Sequence, residues 1–149
     1  MKIIAKNKRA IFDYEILEKY EAGMELSGPE VKSIRKGYIS LAGSFAIVKN
    51  SQLYLLNAFI SPYQAENTPK DYSPSRTRKL LLHKSEIKKL IGKTKGKGLT
   101  LIPLRIYNKR GKIKTEIALA KSKKKVDKRE RIKKREIKRE IEREFKRRP

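Results

Sequence analysis

Short apolar runs separated by turn signals divide the first 120 residues into predicted β-strands. Gly, Asn and Ser between such runs favour tight hairpins, and we predict one hairpin around Lys49–Gln52 and a second around Lys109–Gly111. Pro103 indicates a β-bulge or an edge position, because proline cannot donate to a sheet ladder. The predicted strands are Ile11–Tyr20, Ala22–Leu26, Ser44–Val48, Leu53–Ile60, Gly98–Asn108 and Lys112–Ala120.

Two short helices are expected between these strands. Ser27 and Glu30 have the spacing of a capping box, and Gly37 suits a helix C-terminus, which predicts about two helical turns between them. A second helix is predicted for Lys84–Ile91, with Gly92 as its stop.

This arrangement predicts a mainly β fold: a small closed antiparallel barrel related to the oligonucleotide-binding fold, with two or three short helices. Periodicity alone leaves an SH3-like barrel open. The polar, proline-containing segment 61–78 is predicted to be a loop, and loops of that length are usually functional or mobile.

Charge divides the chain near Ala120. The whole sequence carries 40 Lys and Arg against 16 Asp and Glu, a net charge of +24. Residues 121–149 contribute 16 basic and 6 acidic side chains to that total. We therefore predict a barrel domain over residues 1–120 and a basic C-terminal tail over 121–149, disordered when free and helical when bound to a polyanion. In a helix, Ile137, Ile141 and Phe145 would form one narrow apolar stripe.

Such a positive field points to a polyanionic partner: RNA, DNA or an anionic membrane surface. A membrane is the least expected of the three, because no stretch approaches the roughly 18 apolar residues of a span and the tail stripe is narrow. The sequence has no Cys and one His, which excludes a disulfide scaffold, a zinc ribbon and a thiol nucleophile. We expect a cytoplasmic protein.

Enzymatic chemistry is not expected. The single histidine, His83, has no partner set typical of a catalytic site, and Gly92–Gly98 lacks the order of a phosphate-binding loop. No cofactor and no metal site are predicted.

Binding candidates come from the basic residues. Arg76, Arg78 and Lys79 form a dense cluster where the long loop returns to the barrel, and arginine can bridge phosphates and stack on bases. Tyr63 and Tyr72 in that loop either stack on unpaired bases or pack as a lid. The further basic candidates for RNA contact are Lys8, Arg9 and Arg35.

Five strings give the chain a more specific resemblance. They are NKRAIFDYEILEKYEAG, EVKSIRKG, TRKLLLHKSEI, KGLTLIPLRIY, and IALAK followed by KKK and DKRE. In these strings the chain resembles the SsrA-binding protein (small protein B) family over nearly its whole length. The resemblance implies a barrel related to the oligonucleotide-binding fold that binds the tRNA-like domain of transfer-messenger RNA. It also implies delivery of that RNA to stalled ribosomes in trans-translation, with elongation factor Tu acting through the RNA.

The resemblance also implies roles for individual residues. Glu21 matches an RNA-facing glutamate, Leu81 and His83 match positions that contact the RNA elbow, and Lys114 matches a basic contact. The tail would become helical in the empty mRNA channel and contact the decoding region of the small subunit. The tail residues implied there are Lys123, Lys124, Asp127, Lys128 and Arg129.

Two other functions remain open on composition. A structural ribosomal protein would also be small and basic with a barrel and an extension, and a nonspecific nucleic-acid-binding protein would need only the charge. The sequence demands nothing beyond a monomer.

Overall fold

The computed structural model of the chain describes residues 1–95, 98–123 and 128–147. Within these ranges the chain forms nine strands, four α-helices and a 3-10 turn at Ala65–Asn67. The strands are β1 (Lys2–Lys6), β2 (Tyr14–Met24), β3 (Ile39–Ser40), β4 (Phe45–Lys49), β5 (Gln52–Leu56), β6 (Phe59–Ile60), β7 (Arg78–Leu81), β8 (Leu99–Lys109) and β9 (Lys112–Ser122). The helices are α1 (Lys8–Asp13), α2 (Gly28–Arg35), α3 (Lys84–Thr94) and α4 (Lys128–Arg147).

Six of these strands close into an antiparallel barrel in the order β8-β4-β5-β7-β2-β9, because β9 pairs with both β2 and β8. Strand β1 pairs with the outer half of β8, where Lys2 is opposite Asn108, while β4 meets β8 at Leu101. The short strands β3 and β6 form a separate two-stranded sheet. The predicted closed antiparallel barrel is confirmed.

Strand alternation gives the barrel wall two apolar surfaces. Leu101 faces the interior, where it packs with residues such as Leu53, together with Ile34 of α2 and Leu90 of α3. The next residue, Ile102, faces outward. It belongs to a second cluster that we call the outer apolar wall: Phe45, Ile47, Leu56, Ile102, Ala118 and Ala120, with Ala10 of α1.

Both predicted hairpins are present, and each turn uses two residues with positive φ. Asn50 and Ser51 have φ of 51° and 59°, and Arg110 and Gly111 have φ of 52° and 77°. Such left-handed pairs match the twist of antiparallel strands, which explains the tight connections. The predicted irregularity at Pro103 is also confirmed, since the β8–β9 register shifts directly after that residue.

The first helix predicted from its caps is confirmed as α2. The Ser27 amide donates to Glu30 Oε1 at 3.0 Å, and the Glu30 amide donates to Ser27 Oγ at 3.3 Å. Gly37 follows the helix with a φ of 82°, in the conformation that glycine adopts without strain.

The predicted strand over Ile11–Tyr20 is wrong at its start, where the chain forms α1 instead. The Asn7 amide donates to Leu104 O at 2.8 Å, and Asn7 Nδ2 donates to Pro103 O at 3.0 Å. These bonds fix the chain against β8 just before α1, so Ala10 is buried there and Ile11 is exposed. In this segment the apolar residues of the sequence are therefore not the buried ones.

Other elements also differ from the predictions. The predicted strand Leu53–Ile60 is divided into β5 and β6, and β1 and β3 were not predicted. Helix α3 passes Gly92 and ends at Thr94, whose hydroxyl donates to Leu90 O at 2.7 Å, so the predicted stop at Gly92 is wrong. Strand β7 begins at Arg78, the last residue of the predicted loop. It inserts between β2 and β5 and so completes the barrel.

Candidate nucleic-acid interface

Three neighbouring strands bring several predicted RNA contacts onto one outer surface of the barrel. Gly23 of β2 lies opposite Leu81 of β7 on one side and opposite Lys114 of β9 on the other. Glu21, two residues before Gly23, faces the same way by strand alternation. Together with Lys109 these residues define what we call the Glu21 face.

Gly23 makes the middle of this surface flat. A Cβ atom at Gly23 would stand 3.5 Å from Leu81 Cβ and 3.9 Å from Lys114 Nζ, so a larger side chain would fill the space between them. Leu81 is 49% exposed although it is apolar. An open apolar side chain beside an amine can pack against a ribose or a base while the amine contacts phosphate.

Glu21 is an anchored carboxylate on this basic surface. The Tyr107 hydroxyl donates to Glu21 Oε2 at 2.5 Å, and Lys109 Nζ donates to the same oxygen at 3.2 Å. The bond from Tyr107 and that from Lys109 lower the pKa of Glu21. Glu21 is therefore ionised at neutral pH and can only accept hydrogen bonds from a ligand.

Other predicted contacts border the Glu21 face. Arg35 is exposed at the end of α2, and its Nη2 donates to Gly111 O at 3.1 Å in the β8–β9 turn. His83 is exposed two residues after Leu81, at the start of α3. Lys79 shares the outward side of β7 with Leu81 and is half-buried opposite Tyr54.

The structure corrects the prediction that Arg78 contacts RNA directly. Arg78 is 0% exposed, and its Nε and Nη2 donate to Glu30 Oε2 at 2.9 and 2.6 Å. Its Nη1 donates to Ala58 O at 2.8 Å, and Nη2 also donates to Pro74 O at 2.9 Å. These partners occupy the guanidinium inside the protein, where RNA has no access to it.

Arg76 belongs to the same network but stays 38% exposed, so its contact with RNA remains a prediction. Its Nη2 forms an ion pair with Glu30, and its Nε donates to Glu30 Oε2 at 3.1 Å. Tyr72 donates its hydroxyl proton to Ile60 O at 2.8 Å, so this loop tyrosine is held by packing and hydrogen bonding. The network joins the 61–77 loop to α2. Sequence reasoning used Glu30 only as a capping residue and missed this second role, for which the local sequence carries no signal.

Burial alone would raise the pKa of Glu30. Hydrogen bonds from Arg76, the Ser27 amide and Arg78 outweigh that effect and lower the pKa to about 2. The buried carboxylate is thus ionised throughout the ordinary pH range.

A second group of predicted residues lies around α1. Lys8 and Arg9 are exposed on this helix, which is anchored near Pro103 rather than beside the Glu21 face. The Lys123 amide donates to Asp13 O at 2.9 Å, which brings the start of the tail to the same helix.

Of the other tail candidates, Lys124 and Asp127 lie outside the described residues, and Lys128 and Arg129 open helix α4. Further along α4, Ile137 and Ile141 pack against the outer apolar wall, and the Phe145 ring lies 5.1 Å from that of Tyr54. The predicted apolar stripe thus faces the barrel. The change from a disordered to a helical tail stays a prediction.

Within the described ranges, no helix has the length and apolarity needed to cross a bilayer. The same residues contain no group of three His, Asp or Glu side chains that could hold a metal ion.

Comparison with known proteins gives a consistent result. A family model described as SmpB protein matches residues 4–147. The SsrA-binding protein of Trichodesmium erythraeum is 54% identical over 91% of this chain and 86% of its own length. The SsrA-binding protein of Thermosipho africanus is 55% identical over 99% of both chains. A chain in the solved structure "tmRNA-SmpB: a journey to the center of the bacterial ribosome" is 49% identical, with a TM-score of 0.67 over 83% of this chain and 86% of its own.

Proposed function

Since the chain belongs to the SmpB family, we propose that it is an RNA-binding adaptor of trans-translation. In this role it binds the tRNA-like domain of transfer-messenger RNA and delivers that RNA to stalled ribosomes. The observation that carries the proposal is the family match over residues 4–147, which spans barrel and tail together. The tmRNA-SmpB structure on the ribosome supports the same two partners.

We assign RNA binding to the barrel. The Glu21 face combines a fixed acceptor, Glu21, with the exposed side chain of Leu81 and the amine of Lys114. Arg35, Lys79 and His83 extend this surface. Acceptor, apolar and cationic groups side by side suit an RNA with exposed bases better than a regular duplex, whose phosphates need only positive charge.

We assign ribosome binding to residues 121–149, whose net charge of +10 follows from 16 basic and 6 acidic side chains. The tail would contact the decoding region through Lys123, Lys124, Asp127, Lys128 and Arg129 and enter the empty mRNA channel. Lys8 and Arg9 are exposed on α1, whose last residue Asp13 is bonded to Lys123, and they would contact RNA from there. Elongation factor Tu would act through the RNA, and the adaptor would work as a cytoplasmic monomer without an enzymatic step.

Competition binding tests this function. Labelled tRNA-like domain is displaced from the full-length protein by unlabelled tRNA-like domain, elongator tRNA or duplex DNA, in moderate salt. We expect the tRNA-like domain to compete much better than the other two. Equal competition by all three would mean that charge alone determines binding, and would overturn the adaptor function in favour of a nonspecific one.

A further inference from the structure

Glu21 is a negatively charged group at the centre of a surface that should attract phosphate. Its side chain is 40% exposed, so bound RNA can reach it. A carboxylate repels phosphate oxygens and has no proton to donate at neutral pH. Its use in RNA binding must therefore be to accept a hydrogen bond from an N–H or O–H group of the RNA.

Tyr107 is placed to orient that carboxylate. The residue is 3% exposed on the outer side of β8, opposite Lys114 of β9 and Ile3 of β1. Arg105 stacks over its ring with the guanidinium carbon 5.6 Å from the ring centroid. The ring is thus fixed, and its hydroxyl reaches Glu21 Oε2 at 2.5 Å.

Lys109 completes the arrangement from the end of β8. Its Nζ lies 3.2 Å from Oε2 and 3.4 Å from Oε1 of Glu21. Oε2 therefore receives two bonds, whereas Oε1 receives one long contact and keeps free acceptor capacity. The carboxylate has one anchored oxygen and one available oxygen.

We propose that Tyr107 and Lys109 are positioning residues of the RNA site, which hold Glu21 so that its Oε1 accepts a hydrogen bond from a base N–H or a ribose 2′-hydroxyl. This inference rests on the proposed function. The lowered pKa of Glu21 agrees with it, because both partners stabilise the ionised form that accepts the bond.

Strand β2, which carries Glu21, also supplies a matched control. Tyr20 donates its hydroxyl proton to Glu18, and Lys93 of α3 forms an ion pair with that carboxylate. This second Tyr–Glu–Lys group has the same chemistry, and its carboxylate and amine are exposed to a similar degree, Glu18 to 38% and Lys93 to 40%. The Tyr20 ring packs against the interior cluster and so points to the opposite side of β2 from Glu21. Substitution of Tyr20 therefore reports the structural cost of losing such a bond.

The test is a double-mutant cycle on the full-length protein with E21Q, Y107F and their combination, and with Y20F as the control. Affinity for the tRNA-like domain is measured by fluorescence anisotropy, and folding by thermal melting. We expect Y107F to weaken binding by about 3- to 10-fold, the effect of one lost hydrogen bond. The double variant should bind like E21Q alone, and Y20F should bind like the unsubstituted protein.

Additive losses in the cycle would overturn the positioning role, as would unchanged binding by Y107F. Unchanged binding by E21Q would show that Glu21 is not part of the RNA site. The proposed function would still be supported if the unsubstituted protein preferred the tRNA-like domain over elongator tRNA. If the unsubstituted protein bound both RNAs equally well, the proposed function itself would be contradicted.

Chemical probing identifies the donor. Kethoxal reacts with the Watson–Crick edge of guanine, dimethyl sulfate with that of adenine and cytosine, a water-soluble carbodiimide with that of uracil, and acylating reagents with the 2′-hydroxyl. A nucleotide protected by the unsubstituted protein but not by E21Q would identify a base or a ribose as the partner, according to the reagent. No such nucleotide with any of these reagents would contradict the proposed hydrogen bond.

Discussion

At the scale of single residues, the chain uses its arginines in two different ways. Arg35 is exposed, with one hydrogen bond from Nη2 to Gly111 O, whereas Arg78 is buried in an ion pair with Glu30. A buried pair of this kind owes its stability to mutual hydrogen bonding. Without Glu30 the Arg78 guanidinium would be an uncompensated buried charge, and without Arg78 the Glu30 carboxylate would keep only the partly exposed Arg76 as an ionic partner. Composition cannot separate these two uses.

The first prediction concerns Arg78. We expect R78M to destabilise the fold by about 3–5 kcal/mol, because Glu30 would lose its buried partner. The matched control is K79M, one residue further on the outer side of β7, which should change stability by less than about 0.5 kcal/mol. Urea denaturation measures both. Equal stability of the two variants would show that the buried pair does not hold the loop to α2.

The second prediction is a pH dependence of stability. The pKa of Glu30 is about 2 in the folded chain, below its ordinary value of 4.5, so its contribution is complete above pH 4.5 and is lost as the pH falls towards 2. A shift of this size corresponds to roughly 3 kcal/mol. Relative to E30Q, the unsubstituted protein should be more stable by about this amount at pH 7, with the difference shrinking to zero near pH 2. A difference that does not change with pH would contradict the assignment.

Residue-scale contacts were also where sequence reasoning failed. The SRTRK segment (residues 75–79) looks basic and accessible, yet Arg78 is 0% exposed. Its buried partner Glu30 lies 48 residues away in the sequence. Local spacing carries no record of such a contact. The anchoring of Glu21 by Tyr107, 86 residues apart, was unpredictable for the same reason.

At the scale of elements, the sequence was most informative where local chemistry decides the structure. Turn residues with positive φ specified both hairpins, and the Ser27–Glu30 capping box specified α2. Apart from the helix end at Gly92, the errors described above occur where contacts between distant residues determine the structure. Asn7 bonds to β8 and so permits α1, and β7 exists because β2 and β5 offer it edges on both sides.

The third prediction concerns the docking of α4. Ile141 packs against the outer apolar wall, whereas Arg139 on the same helix is exposed. We expect I141D to release the helix, because a buried apolar contact would become an unpaired charge and an isolated helix of this composition is marginal in water. Helical circular dichroism should fall and trypsin should cleave the tail faster, while R139D leaves both nearly unchanged. Identical behaviour of the two variants would show that the docked helix does not depend on its apolar stripe.

At the scale of the whole molecule, charge is distributed over two structural parts. Of the net +24, residues 121–149 carry +10, and the barrel segment carries the other +14. An adaptor that joins one RNA to another needs two such surfaces, and the Glu21 face and the tail supply them in the proposed function. Docking of α4 on the outer apolar wall means that the tail also covers part of the barrel.

The fourth prediction tests this division of work by truncation after Lys123. That boundary keeps β9 intact to Ser122 and preserves the bond from the Lys123 amide to Asp13 O. We expect the truncated protein to remain folded and to bind the tRNA-like domain within about threefold of full length in moderate salt, since the Glu21 face is untouched. Its affinity should depend less steeply on salt, because fewer lysines and arginines remain to release counterions.

The same truncation should abolish delivery of the RNA to the ribosome while leaving RNA binding intact. Without the tail, tagging on stalled ribosomes should be lost, whereas the full-length Y20F control should tag normally. Tagging by the truncated protein and by Y20F is measured in a reconstituted translation reaction that contains transfer-messenger RNA. If truncation abolished RNA binding as well, the tail would be part of the RNA site, and the barrel could not be the part that selects the RNA. If the truncated protein still supported tagging, the decoding-region contacts assigned to residues 124–129 would be wrong, and ribosome binding would have to come from the barrel.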